Sequence, residues 1–261
     1  MLFRSCLLLP GEEIVDRKTA FQLERAYAKL PKEYKGFCRS VMQPVGGARH
    51  GVLRTAEVFT EKTGTPDGAL TPLQWLQLPE ESLAEAVNGE VFRDGAGLLT
   101  DCRKALLDMP EDARQKRLAG RLLLMAQSGQ YNYRRCLQHG EAGAAQLAAG
   151  EFVKNTLSAV FLLNRAYMPY YKWSFRALRA LPGGEDLDRS LEWLLTTGNG
   201  EEIAEDKYFC MEGIASQVID LLQEQGLTEA TCGDLEKHAY SVNDGIRDGN
   251  VRNLHILYCV E

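Results

Sequence analysis

From Leu70 to the C-terminus, apolar residues recur at helical spacing, and prolines and glycines divide them into segments of helix length. The stretch after Pro110 is the clearest. Its apolar stripe of Leu118, Leu122, Met125, Ala126, Gly129, Tyr133 and Cys136 follows the i, i+3, i+4 rule of a core-facing helix. Pro110 loses nothing at a helix start, Glu111 and Asp112 stand where the helix dipole favours carboxylates, and Gly140 supplies a stop. Such a stripe must be buried against other elements, so the pattern predicts a helical bundle. In this register Leu122 belongs to the core and Arg117 to the solvent side.

The flanking segments read the same way. Pro79 precedes a helix over 80–87 that Asn88-Gly89 ends, and Thr100 is placed to cap one running to Met109. Helices are predicted over 142–167 and 170–181 with Pro169 between them. A Pro182-Gly183-Gly184 turn leads to helices over 186–195, 201–225 and 234–240, and 251–260 is open between helix and strand. Upstream, Cys6 to Leu9 reads as a strand running into a Pro-Gly turn. A helix over 12–30 follows, with Ile14, Val15, Ala20, Leu23, Ala26, Tyr27 and Leu30 as its apolar face, and 46–55 gives a turn and a strand from His50 to Thr55. Two strands are marginal alone, so their partners are expected upstream of residue 1. Met1 to Ser5 resemble neither a signal peptide nor a helix start, which suggests a reading frame that begins inside a gene. The expected fold class is mostly α, α+β overall, with an α/β part over 1–78 and a helical domain over 79–261.

Composition removes several classes of function. With 45% apolar and 25% charged residues the chain is of ordinary globular type, and no apolar run approaches a bilayer span, so no membrane partner is expected. Seven cysteines, an odd number without a C-x-x-C pair, point to reduced thiols in a cytoplasmic protein and to no structural zinc site. The net charge of −6 hides a division along the chain. Arg103 to Arg179 carries 13 basic against 5 acidic residues, whereas Glu185 to Glu236 carries 14 acidic residues against Arg189 and Lys207. Two readings follow: solvated faces that partly neutralise each other, or a basic surface for phosphate-bearing ligands beside an acidic segment that limits non-specific binding.

The chemistry concentrates in two places. One helix carries Gln130, Tyr131, Asn132, Tyr133, Arg134 and Arg135, and another carries Tyr170, Tyr171, Lys172, Trp173, Phe175 and Arg176. No acidic residue occurs from Phe152 to Gly184. Gln127, Gln130, Tyr131 and Arg134 share one helix face, and Lys172, Arg176 and Arg179 share another. Aromatic faces interleaved with guanidinium groups suit stacking on a base and pairing with phosphate. The alternative is that the aromatics are core and the cations reach past them to solvent. Tyr131, Arg134, Lys172, Trp173 and Arg176 are the candidate binding residues, expected to line one cleft between two adjacent helices. His238 and His255 lie too far apart in sequence to argue a metal pair, and there is no P-loop, G-x-G-x-x-G or G-x-S-x-G.

The words LPKEYKGF (30–37), NGEVFRD (88–94), MPEDARQKRLA (109–119), AQSGQYNYRR (126–135) and FLLNRAYMPYYKWSFRAL (161–178) resemble the bacterial family called domain of unknown function 4037. The likeness covers most of the chain from Cys6 onward. It implies a nucleotidyltransferase-like sheet followed by a helical domain, with a Gly-Ser turn and clustered aspartates just before the segment matched by Cys6 to Leu9. In an intact relative those carboxylates would hold Mg2+ and a nucleoside triphosphate for transfer of a nucleoside monophosphate to a hydroxyl. This sequence starts after them, so the resemblance implies a truncated transferase portion with no assignable catalytic residue, no cofactor and no transfer activity as given. Glu57 is a candidate third metal carboxylate or, alternatively, a solvated helix-start glutamate. The other function class is a non-catalytic helical module that binds a nucleotide, RNA or protein. Arg134 and His139 also have the R-x4-H spacing seen in HEPN ribonuclease-like domains, where a base or acid stands beside a phosphate-orienting guanidinium.

Overall fold

A computed structural model describes residues 6–31, 33–34, 37–38 and 51–260. The expectations for Met1 to Ser5 and for a turn and strand start over 46–50 lie outside them. The chain divides into two compact units, Met1–Leu70 with Ala86–Asp108, and Thr71–Glu85 with Met109–Glu261. Both units are discontinuous in sequence, and the boundary expected at 78/79 falls inside the 71–85 segment of the second.

In the first unit, β1 (Cys6–Leu9) pairs in parallel with β4 (Gly51–Arg54), Cys6 opposite Gly51 and Leu9 opposite Arg54. Between them α1 (Arg17–Ala28) supplies the crossover that a parallel pair requires. β2 (Glu33–Tyr34) and β3 (Phe37–Cys38) form a short antiparallel pair. The first helix starts later than its periodicity suggests, because Asp16 caps it by accepting the Thr19 N–H at 2.7 Å and Glu12 turns its carboxylate to Arg17. Thr55 Oγ donates to Leu9 O at 3.1 Å and opens α2 (Thr55–Thr63), which buries Phe59 and ends at Gly64 with a left-handed φ of 75°. α5 (Leu98–Leu107) contacts α2 and buries Cys102 and Leu106. Thr100 is not its cap. The helix begins at Leu98 behind Gly97, and the Thr100 N–H and hydroxyl both donate to the Asp94 carboxylate at 2.7 Å.

The second unit is helical, as the apolar periodicity predicts. α3 (Pro72–Gln77) opens with a reciprocal capping box between Thr71 and Gln74. α4 (Glu80–Val87) carries the chain into the first unit's second segment. α6 (Glu111–Met125) passes into a π-helical segment (Ala126–Asn132) and then α7 (Tyr133–Gln138), and Gly140 follows with φ 75°. The π register is visible where the Tyr133 N–H donates to Ser128 O. Gly129 makes the close approach to α8 (Ala142–Leu163) possible, since a Cβ there would lie 2.3 Å from Phe152. α8 stops before Tyr167 because Arg165 turns left-handed (φ 53°) and the Ala166 N–H reaches back to Phe161 O.

Beyond it lie α9 (Tyr171–Leu178), α10 (Gly184–Thr196), α11 (Glu201–Glu224), α12 (Leu235–Asp244) and α13 (Gly249–Arg252). α12 runs past the expected Tyr240, and 253–260 continues in turns rather than as one helix or strand. Leu118, Leu122, Met125, Phe152, Leu178, Leu191, Met211, Leu222 and Val242 share one core. α6 lies at its centre, in contact with α3, α8, α12 and α13. A helix covered on so many sides has no solvent side, and this corrects the expectation for Arg117, which is only 1% exposed.

Candidate functional site

Three of the 13 basic residues between Arg103 and Arg179, all on α6, are buried and hold backbone carbonyls. Arg117 donates to Trp75 O at 2.7 and 3.0 Å, and also to Leu76 O and Leu78 O, where α3 ends and leaves its last carbonyls without helical N–H donors. Lys116 Nζ donates to Asn243 Oδ1, Arg252 O and Leu254 O at 2.6–3.0 Å. Arg114 ties Glu111 to Leu162 O. On α11, Lys207 Nζ donates to Gln146 Oε1, Thr197 O and Asn199 Oδ1 at 2.8–2.9 Å. Burial lowers the pKa of Lys116, Arg117 and Lys207. Glu80, also buried, accepts from Ser158 Oγ and pairs with Arg121, which donates to Asn155 Oδ1. Sequence pattern missed this cluster. The signal present was Asn155, Thr156 and Ser158 grouped in the most apolar half of a helix.

The two aromatic and basic segments fare differently. On the first, Gln130 is structural: its amide donates to Glu212 and Gly233 O, and its oxygen accepts the Leu235 N–H at the start of α12. Tyr133 is fully buried, donates to Asn199 Oδ1 at 2.9 Å, and has its pKa pushed up to about 12 by burial. Tyr131 is exposed and accepts from Arg135 at 2.9 Å. Arg134 pairs with Glu205 on α11 at 3.1 Å and stacks 4.4 Å over the Tyr208 ring. The Tyr208 hydroxyl is bonded to Glu212, which raises its pKa, with burial adding to the effect. Here the basic and acidic stretches neutralise each other. His139 is exposed at the end of α7, its backbone N–H on Arg135 O and Cys136 O.

On the second segment, α9 buries Ser174 and Leu178, one turn apart, and leaves Lys172, Trp173 and Arg176 outside. The turn into the helix is closed by the Trp173 N–H on Tyr170 O at 2.8 Å. Trp173 is 50% exposed, with Arg176 at 5.5 Å and Lys172 at 5.7 Å from its ring. Lys172 is also 5.6 Å from the Tyr170 ring, whose centroid lies 4.4 Å from that of Tyr171. Arg179 is committed to Asp188 on α10 at 2.9 Å. The structure therefore gathers Lys172, Trp173 and Arg176 on α9 and ties Arg134 to α11. None of the hydrogen bonds, ion pairs or ring contacts of Tyr131 or Arg134 reaches the α9 trio. Neither Lys172 nor Arg176 has a carboxylate within ion-pair distance among the described residues.

Residues 75–174 match the family model described as Domain of unknown function (DUF4037). The match runs from α3 to Ser174 on α9 and contains the words at 88–94, 109–119 and 126–135 whole, in support of the DUF4037 resemblance. It includes Tyr131, Arg134, Lys172 and Trp173, and Arg176 lies two residues beyond it. No curated protein and no solved structure matches the chain. Among the described residues, no helix is long and apolar enough to cross a membrane.

Proposed function

We propose that this chain is a ligand-holding helical module that captures an aromatic, phosphate-bearing ligand, a nucleotide or a nucleic acid, on the exposed face of α9. One observation carries the reading: Trp173 is half-exposed with two cations over its ring at 5.5 and 5.7 Å, and neither cation is paired with a carboxylate among the described residues. A base laid on the indole would bring its phosphate to Lys172 and Arg176. Arg134 makes a poorer phosphate ligand, because Glu205 already occupies it.

We further propose, on the family resemblance, that the module belongs to a nucleotidyltransferase-like protein whose reaction would transfer a nucleoside monophosphate to a hydroxyl, and, on the odd number of cysteines without a C-x-x-C pair, that it is cytoplasmic. The described residues offer no group of three His, Cys, Asp or Glu side chains suited to Mg2+. Glu57 stands exposed in the first turn of α2, so no step of that reaction is derived from this chain. The binding proposal is tested by titrating the full chain with a fluorescent ATP analogue and with a short labelled single-stranded RNA, following anisotropy. Saturable binding of at least one probe, weakened by added salt, is expected. Failure of both probes to bind at low salt refutes it.

A further inference from the structure

We infer that the α9 face is matched to a single-stranded nucleic acid rather than to a mononucleotide, an inference that rests on the binding role proposed above. The first support is the grouping of the side chains. Lys172 Nζ lies 5.6 Å from the Tyr170 ring and 5.7 Å from the Trp173 ring, and Arg176 lies 5.5 Å from the Trp173 ring. Two rings and two cations gathered in this way offer a strand both a stacking surface for its bases and partners for the phosphates that link them.

The second support is shape. Small ligands gain their affinity from enclosure. In this unit a cavity of about 1020 Å³ lies among Glu111, Asp112, Tyr240 and Arg247, away from α9, whose aromatics stand on an open helix face. Affinity on an open face comes from repeating a modest contact along a chain. The third support is the chemistry that α9 omits: its exposed face carries no Asn, Gln, Asp or Glu to read base edges. With Lys172 and Arg176 turned to phosphates, recognition is by stacking and phosphate pairing, tolerant of sequence, and it favours a single strand over a duplex, whose base faces are hidden.

The test is competition against a labelled single-stranded RNA on the full chain, using a length series from mononucleotide to about eight nucleotides. The duplex of the same sequence, inorganic polyphosphate and phosphatidylserine vesicles serve as the other competitors. Affinity should rise with length over the first few nucleotides, and the single strand should outcompete the other three. Trp173→Leu should weaken binding about 5- to 140-fold, the range for loss of one base–aromatic stack. The double variant Lys172→Gln with Arg176→Gln should reduce the slope of log affinity against log salt by about 1.4, two single-strand phosphate contacts. Circular dichroism melting shows whether the variants stay folded, and the exposed double variant does not touch the core. A mononucleotide that competes as well as the longest strand overturns the inference while leaving the binding role standing. Equal competition by duplex, polyphosphate or vesicles overturns it in favour of a charge-only or lipid surface.

Discussion

Replacing Arg117 with methionine keeps most of the length of a fully buried side chain and removes its donors. Three carbonyls, those of Trp75, Leu76 and Leu78, then lose the guanidinium that ends α3. A buried acceptor left without a partner costs about 1–3 kcal/mol. Against this, methionine relieves the desolvation of a charge that burial disfavours and that Glu80 partly offsets. The net expectation is a loss of about 3–5 kcal/mol, the scale seen when one member of a buried polar cluster is removed. Urea unfolding monitored by circular dichroism measures it, with the m-value unchanged if the folded state keeps its compactness. Hydrogen exchange supplies the local reading: amides of α3 should exchange faster in the variant than those of α8. If Arg117→Met unfolds within about 0.5 kcal/mol of the parent with α3 equally protected, the carbonyl clip does not hold that helix.

The same unfolding curves separate core from rim: Leu122→Ala should cost about 2–5 kcal/mol, whereas Arg134→Ala, which breaks an exposed ion pair, should cost under about 1 kcal/mol. The reverse order would contradict the burial described for α6 and α7. Tyr133 links stability to alkaline pH. Its folded pKa of about 12 stands above the ordinary 10, so its contribution is complete below pH 10 and is lost between pH 10 and 12, at about 1.4 kcal/mol per pH unit. Tyr133→Phe removes that component, and identical alkaline slopes in the two proteins would refute the assignment.

Helices were legible because their signals are local. The stripe from Leu118 to Cys136, the proline at 110 and the glycine at 140 each act within one or two turns, and each reappears in the structure. Arg117 was illegible because a charged side chain states a preference for solvent or for polar partners, and its partners are carbonyls about 40 positions away in sequence. The π segment was hidden as well, since the steric demand at Gly129 comes from Phe152 on another helix. The candidate site divides along the same line. The exposed trio on α9 follows from spacing within one helix, whereas the pairing of Arg134 with Glu205 depends on how α7 meets α11. Thr100 failed as a cap for a related reason: Asp94, six positions upstream, competes for the same groups.

The inward-facing cations also bear on proteolysis. Trypsin needs a Lys or Arg side chain and several residues of extended backbone, and at Lys116 and Arg117 the folded chain offers neither, with both side chains enclosed and the backbone in mid-helix. Cleavage there waits for the second unit to open, and when opening and reclosing are fast its rate follows the unfolded population. Lys172 and Arg176, by contrast, present their side chains on a short surface helix. One digest therefore carries two clocks: a cut in α9 that times local fraying, and a cut in α6 that times collapse of the core.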